Sequence, residues 1–180
     1  MNNDSRLIFE KYQCIRELFE TSYPFQRPVN FNLDEVFYTF NIDDVLLKVQ
    51  FMSEYAEPVL DNNNVIRIAF GRPLDTPYGW IKVETEELLQ VSNPMKVIST
   101  VFNGILVDFI KTYFKDNSDK KISFIFHGSL TQQEIDKDIS IDSSKRTRIY
   151  MNILKRMPIL KEYGLSIYNL GDDGIEISNT

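Results

Sequence analysis

Hydrophobic positions along this chain switch between two periods. From Asn93 to Lys115, Ile98, Val101, Phe102, Ile105, Leu106, Phe109, Ile110 and Tyr113 recur at three- and four-residue intervals, which predicts one long helix with a broad apolar face. Lys96, Thr100, Asn103, Asp108, Lys111 and Lys115 collect on the opposite, wetted side. Asn93 suits the N-cap, and Pro94 suits the first helical position, where no amide hydrogen is needed. The rest of the chain is expected to organise around this helix.

Upstream, Leu7, Ile8, Tyr12, Ile15, Leu18 and Phe19 predict an amphipathic helix over Ser5 to Thr21, and the two prolines between Tyr23 and Val29 predict an extended connector. Residues 36–40 and 45–52 favour strands joined by a tight turn at Asn41-Ile42-Asp43-Asp44, with Val45, Leu47, Val49 and Phe51 on the drier face. A further strand is expected over Val65 to Phe70, stopped by Gly71 and Pro73, followed by the loop PLDTPYGW and a short strand over Trp80 to Val83. After the central helix, Lys121 to His127 reads as a buried strand and Gly128 to Asp142 as a polar loop. Ser143 to Met157 returns to helical spacing, Pro158 interrupts it, and Gly164 ends the turns that follow. Leu165 to Leu170 and Ile175 to Ser178 flank Gly171-Asp172-Asp173-Gly174 as a hairpin. The fold class expected is a single α+β domain over residues 1–180: a mixed, largely antiparallel sheet packed by a long central helix and flanking helices.

Composition narrows the chemistry. In 180 residues, 43% hydrophobic and 13% aromatic side chains suffice for one substantial core. A net charge of −6 opposes general attraction to nucleic acid or anionic membrane, so neither sequence-specific nucleic-acid binding nor membrane insertion is expected. Cys14 is the only cysteine and His127 the only histidine, which excludes an intrachain disulfide and would leave a zinc site built almost entirely of carboxylates, so structural zinc is not expected. No leader-like N-terminus and no 18-residue apolar stretch are evident, so a cytoplasmic location is expected, in a host cell or a virion if the chain is phage-encoded.

The element order, an antiparallel sheet leading to a central helix, then a strand, a second helix and a closing pair of strands, resembles the GNAT N-acetyltransferase fold over about the last two thirds of the chain. The apolar strand Ile122 to Phe126 followed by Ser144-Lys145-Arg146-Thr147-Arg148-Ile149-Tyr150 is similar to the small-residue, then Leu-Tyr pattern of that family. By this resemblance Tyr150 would protonate the departing thiolate of coenzyme A, Glu84 would serve as the base for an amine, and Gln90 and Asn93 would lie at the pyrophosphate of acetyl-coenzyme A. The family cradles that pyrophosphate with Gln/Arg-x-x-Gly-x-Gly/Ala, whose glycines let backbone amides approach the phosphates. Here the loop is Gln90-Val91-Ser92-Asn93-Pro94-Met95: Gln90 fits, Asn93 and Met95 replace the small positions, and Pro94 removes an amide. The sequence thus resembles a GNAT with a degraded cofactor loop. SRLIFEKY, the VFNGILVDFI helix, and an isolated strand followed by Arg-x-x-x-Tyr or Arg-x-Tyr before a basic helix also resemble small proteins of tailed phages. That likeness implies an accessory or virion component.

The remaining polar features each have a plain structural alternative. His127 ends an apolar strand with no histidine or cysteine nearby to form a catalytic pair. Glu84, Glu86 and Glu87 read more readily as a solvated acidic edge than as a base, and the acidic 134–142 loop lacks the glycine and terminal glutamate of a helix-loop-helix calcium site. Lys145, Arg146 and Arg148, in the one dense basic run, and Tyr78 and Trp80, in an aromatic loop, are candidate contacts for a protein partner or for self-assembly. The expectation is a non-catalytic binding or structural protein without a cofactor, with an acyl-coenzyme A dependent N-acetyltransferase as the alternative.

Overall fold

The computed structural model describes residues 22–31, 35–53, 65–73, 81–82, 91–126, 135–140, 143–171 and 174–179. Its strands are β1 (Phe25–Gln26), β2 (Glu35–Ile42), β3 (Val45–Ser53), β4 (Val65–Pro73), β5 (Ile81–Lys82), β6 (Ser123–Phe126), β7 (Ser166–Asn169) and β8 (Ile175–Ser178). They lie in the order β1-β2-β3-β4-β6-β8-β7, with β5 pairing onto the end of β4. Every neighbouring pair is antiparallel except β4 and β6. Two parallel strands need a crossover, and the central helix α1 (Pro94–Asp116) lies in the connection between them. The expected class, α+β with a mixed, largely antiparallel sheet, is the class observed.

Strand alternation sets which face is dry. Val36, Tyr38, Phe40 and Ile42 on β2 stand in register with Leu47, Val49 and Phe51 on β3; Ile66, Ile68 and Phe70 on β4 then align with Phe124 and Phe126 on β6, and those with Ile177 and Ile175 on β8. All of these are buried. The β2–β3 link is a two-residue turn with both Asp43 (φ 48°) and Asp44 (φ 64°) left-handed, the geometry whose twist matches a hairpin and which aspartate tolerates.

Against that dry face lies α1. Asn93 Oδ1 accepts the Lys96 amide at 3.0 Å and Pro94 occupies the first turn, as the sequence predicts. Phe109 stacks on Phe51 with centroids 4.0 Å apart and meets Phe124 edge-on at 5.8 Å, so α1 bridges β3 and β6. Thr100–Leu106 widens into a π-helical segment. At its start the Thr100 hydroxyl donates to the Lys96 carbonyl at 2.8 Å, which also accepts the Thr100 amide.

Helix α2 (Lys145–Leu154) is capped by Ser144, whose hydroxyl accepts the Thr147 amide at 3.1 Å. It stops short of Pro158, which starts a separate α3 (Pro158–Glu162). Gly164 (φ 66°) closes α3: its amide donates to the Lys161 carbonyl at 3.2 Å and the Leu165 amide reaches the Leu160 carbonyl at 2.7 Å.

Several expectations need correction. The connector is extended, but Phe25–Gln26 also pairs with β2 as a short strand. Strand β4 does not stop at Gly71, because glycine keeps both ladder groups and pairs with Lys48; Pro73, at the terminal position, forfeits only its own donor. Thr100 is not wetted but fully buried. By length and composition α1 is apolar enough to cross a membrane, although no such stretch was expected; most of it is buried within the fold. The predicted helix over Ser5 to Thr21, the 74–80 part of the PLDTPYGW loop, and residues 128–134 and 141–142 of the acidic loop lie outside the described residues.

Candidate functional site

The start of α1 is where the resemblance would put a phosphate cradle, and the Ser92, Lys96 and Val97 amides there have internal partners. The Ser92 amide donates to Asp43 Oδ2 at 2.7 Å, so the β2–β3 turn lays a carboxylate on the loop that precedes the helix. Hydrogen bonds from the Ser92 hydroxyl and amide hold the Asp43 carboxyl below its ordinary value. The Lys96 amide goes to the Asn93 side chain and the Val97 amide to the Asn93 carbonyl at 3.3 Å, while Pro94 has no donor. Ser92, Pro94, Lys96 and Val97 therefore offer an incoming phosphate no free amide. Lys96, the cation nearest this turn in sequence, has its ammonium 4.2 Å over the ring of Tyr23. Burial and the Asp43 charge raise the Tyr23 phenol above its ordinary value, and a bond with Ser92 opposes them.

From this entrance the connector runs along α1 as a strap. The Tyr23 amide donates to Thr100 Oγ1 at 2.8 Å, the Phe25 ring lies against Gly104, and Arg27 Nη2 reaches Asp108 Oδ1 at 2.5 Å. Two residues of extended chain advance roughly 6.6 Å and four of α-helix roughly 6 Å, so contacts at 23, 25 and 27 match 100, 104 and 108. A Cβ at Gly104 would sit 3.1 Å from Phe25 Cε1, so the absence of a side chain here lets the Phe25 ring approach the helix. Asp108 also accepts the Tyr38 phenol from beneath at 3.1 Å. Burial, the Asp108 charge and that bond together raise the Tyr38 phenol well above its ordinary value.

Tyr150, the candidate acid, is a core residue. Its ring lies 5.1 Å from Phe102 and 6.1 Å from Phe70, and it is 5% exposed. Burial pushes its phenol up to about 12, opposed by the Arg146 charge. Phe102 is nine residues beyond Asn93, roughly 13 Å along a helix, so Tyr150 and the helix entrance share one element without meeting through it. Lys145 and Arg148 are exposed and Arg146 is half-buried on α2. Glu84, Glu86, Glu87, Gln90, Tyr78, Trp80 and His127 lie outside the described residues. Among the described residues no group of three or more His, Cys, Asp or Glu side chains is placed to hold a metal ion.

The sequence reading missed the strap and its anchors. Thr100, Gly104 and Asp108 fall four residues apart along one line of the helix, a small-and-polar track that was the available signal. Asp43 gave none beyond a turn, because its partner Ser92 is 49 residues away. Comparison with protein families, characterised proteins and solved structures finds no match to this chain.

Proposed function

We propose that this chain is a non-catalytic binding or structural accessory protein, phage-encoded, built on a GNAT-like scaffold and working in the host cytoplasm or in a virion. The observation that carries the reading is the Ser92 amide bonded to Asp43: an internal carboxylate lies on the loop where a pyrophosphate would bind, and repels one. Burial of Tyr150 adds support, since an acid that must reach a departing thiolate cannot also be sealed among Phe70 and Phe102. The phage origin rests on the resemblance alone.

Acyl-coenzyme A dependent acetylation of an amine is the second reading. It is favoured by the observed order of sheet, central helix, strand, helix and closing hairpin, which is the order on which the resemblance rests. In that reading Tyr150 is the acid, Glu84 the base, and Gln90 and Asn93 hold the cofactor. Calorimetric titration with acetyl-coenzyme A separates the two. The binding-protein reading expects no heat of binding; saturable binding with one site per chain would replace it with the enzyme.

A further inference from the structure

Helix α2 and the turn after it concentrate positive charge on one exposed face. Residues 143–161 contain Lys145, Arg146, Arg148, Lys155, Arg156 and Lys161 and no acidic residue, so the remainder of the chain is twice as negative as the whole. At about 100° per residue, Lys145, Arg148, Asn152, Lys155 and Arg156 fall within an arc of about 100°, opposite the face that buries Thr147, Tyr150 and Leu154. All five are exposed. The side chains of Arg148, Lys155 and Arg156 make no ion pair among the described residues. Cations at the C-terminal end suit the helix dipole, but Lys145 and Arg146 open the first turn with no acid there, where positive charge is destabilising.

We infer that this cationic stripe is a docking surface for an acidic segment of a protein partner, an inference that rests on the reading of the chain as a binding protein. The stripe is about 15 Å long, the reach of about five residues of extended peptide. Long-range charge disfavours duplex nucleic acid: its phosphates, one per about 1.7 Å of axis, would meet the field of a strongly acidic remainder. The aromatic rings on these helices are also committed. Tyr150 is buried and Tyr163 stacks on Phe114 at 5.0 Å, so neither forms a platform for bases. A short carboxylate-rich peptide meets the stripe without spanning the acidic surface.

The test is fluorescence anisotropy with a labelled poly-glutamate peptide of about 15 residues, and in parallel a duplex DNA of comparable length, each at low and physiological ionic strength. The stripe predicts salt-sensitive binding of the peptide, weakened at least about tenfold in Arg148→Gln/Lys155→Gln/Arg156→Gln and within about twofold of the native chain in the control Lys111→Gln/Lys115→Gln. All five substituted side chains are exposed, and a thermal melt of each variant establishes that it is folded. No peptide binding, equal loss in the control, or tighter binding of the duplex than of the peptide would each overturn the inference. Failure here is distinguishable from failure of the binding-protein reading: saturable acetyl-coenzyme A binding sinks the latter whatever the peptide does, and absent peptide binding without a cofactor response sinks only the stripe.

Discussion

Replacing Asp108 by alanine should loosen the strap and the sheet beneath it together, because one carboxylate serves both. The Tyr38 side chain is fully buried and its phenol donates to Asp108 Oδ2, so deletion strands a buried donor, which costs about 1–3 kcal/mol. The Arg27 pair adds about 0–1 kcal/mol, since the Arg27 side chain is 69% exposed and water screens it. Alanine returns about 0.5 kcal/mol through helix preference, leaving a net loss of about 1–3 kcal/mol. Urea denaturation of Asp108→Ala, Asp108→Asn, Tyr38→Phe and Arg27→Ala measures the parts. Asp108→Asn keeps an acceptor for the phenol and should cost less than Asp108→Ala. Arg27→Ala should cost under about 1 kcal/mol, shrinking in high salt. A double-mutant cycle between Tyr38 and Asp108 should give a coupling of about 1 kcal/mol. If Asp108→Ala costs no more than Arg27→Ala, the carboxylate serves only the surface pair and the reasoning fails.

Phe109→Ala should cost about 3–5 kcal/mol in the same denaturation assay, since the ring is fully buried and touches Phe31, Phe51, Tyr113 and Phe124; a loss under about 1 kcal/mol would mean the helix face is wrongly identified. Gly104→Val should destabilise by about 1–3 kcal/mol through the Phe25 contact, whereas Gly104→Ala gains helix preference and should stay within about 1 kcal/mol of the native chain. Tyr38 and Tyr150 titrate above their ordinary 10.0 in the folded state, so the folded chain holds protons that the unfolded chain releases. Stability should therefore be flat with respect to these groups below pH about 10 and fall as pH rises beyond it, by up to about 1.4 kcal/mol per unit for each shielded phenol, and Tyr150→Phe should flatten that fall in alkaline denaturation.

Local signals carried most of the fold. Asn93-Pro94 marks the start of α1, Pro158 the break between α2 and α3, and Gly164 the end of α3, because each works through its own backbone and immediate neighbours. Strand alternation in residues 45–51 assigned the dry face correctly, because one face of that sheet is buried against α1. What could not be read depended on contacts distant in sequence. Counting polar residues as wetted misplaced Thr100 and, in part, Asp108, whose partners come from a connector 77 and 81 residues away. The π segment over Thr100–Leu106 left no mark in the hydrophobic period. The candidate site was only half legible: Asn93 and Met95 stand where the resemblance would put small residues, but the carboxylate bonded to Ser92 arrives from the distant β2–β3 turn.

The most direct test of the central claim, that the entrance of α1 is closed to a pyrophosphate, is a thermal-shift titration with acetyl-coenzyme A. With Asp43 on the Ser92 amide and Asn93 on the Lys96 amide, the unfolding midpoint should not move at millimolar cofactor. A ligand at about 100 times its dissociation constant would stabilise the folded chain by about 2.7 kcal/mol. A shift of that size, retained in Lys145→Ala and lost in Asn93→Ala, would place the cofactor at this helix and contradict the account.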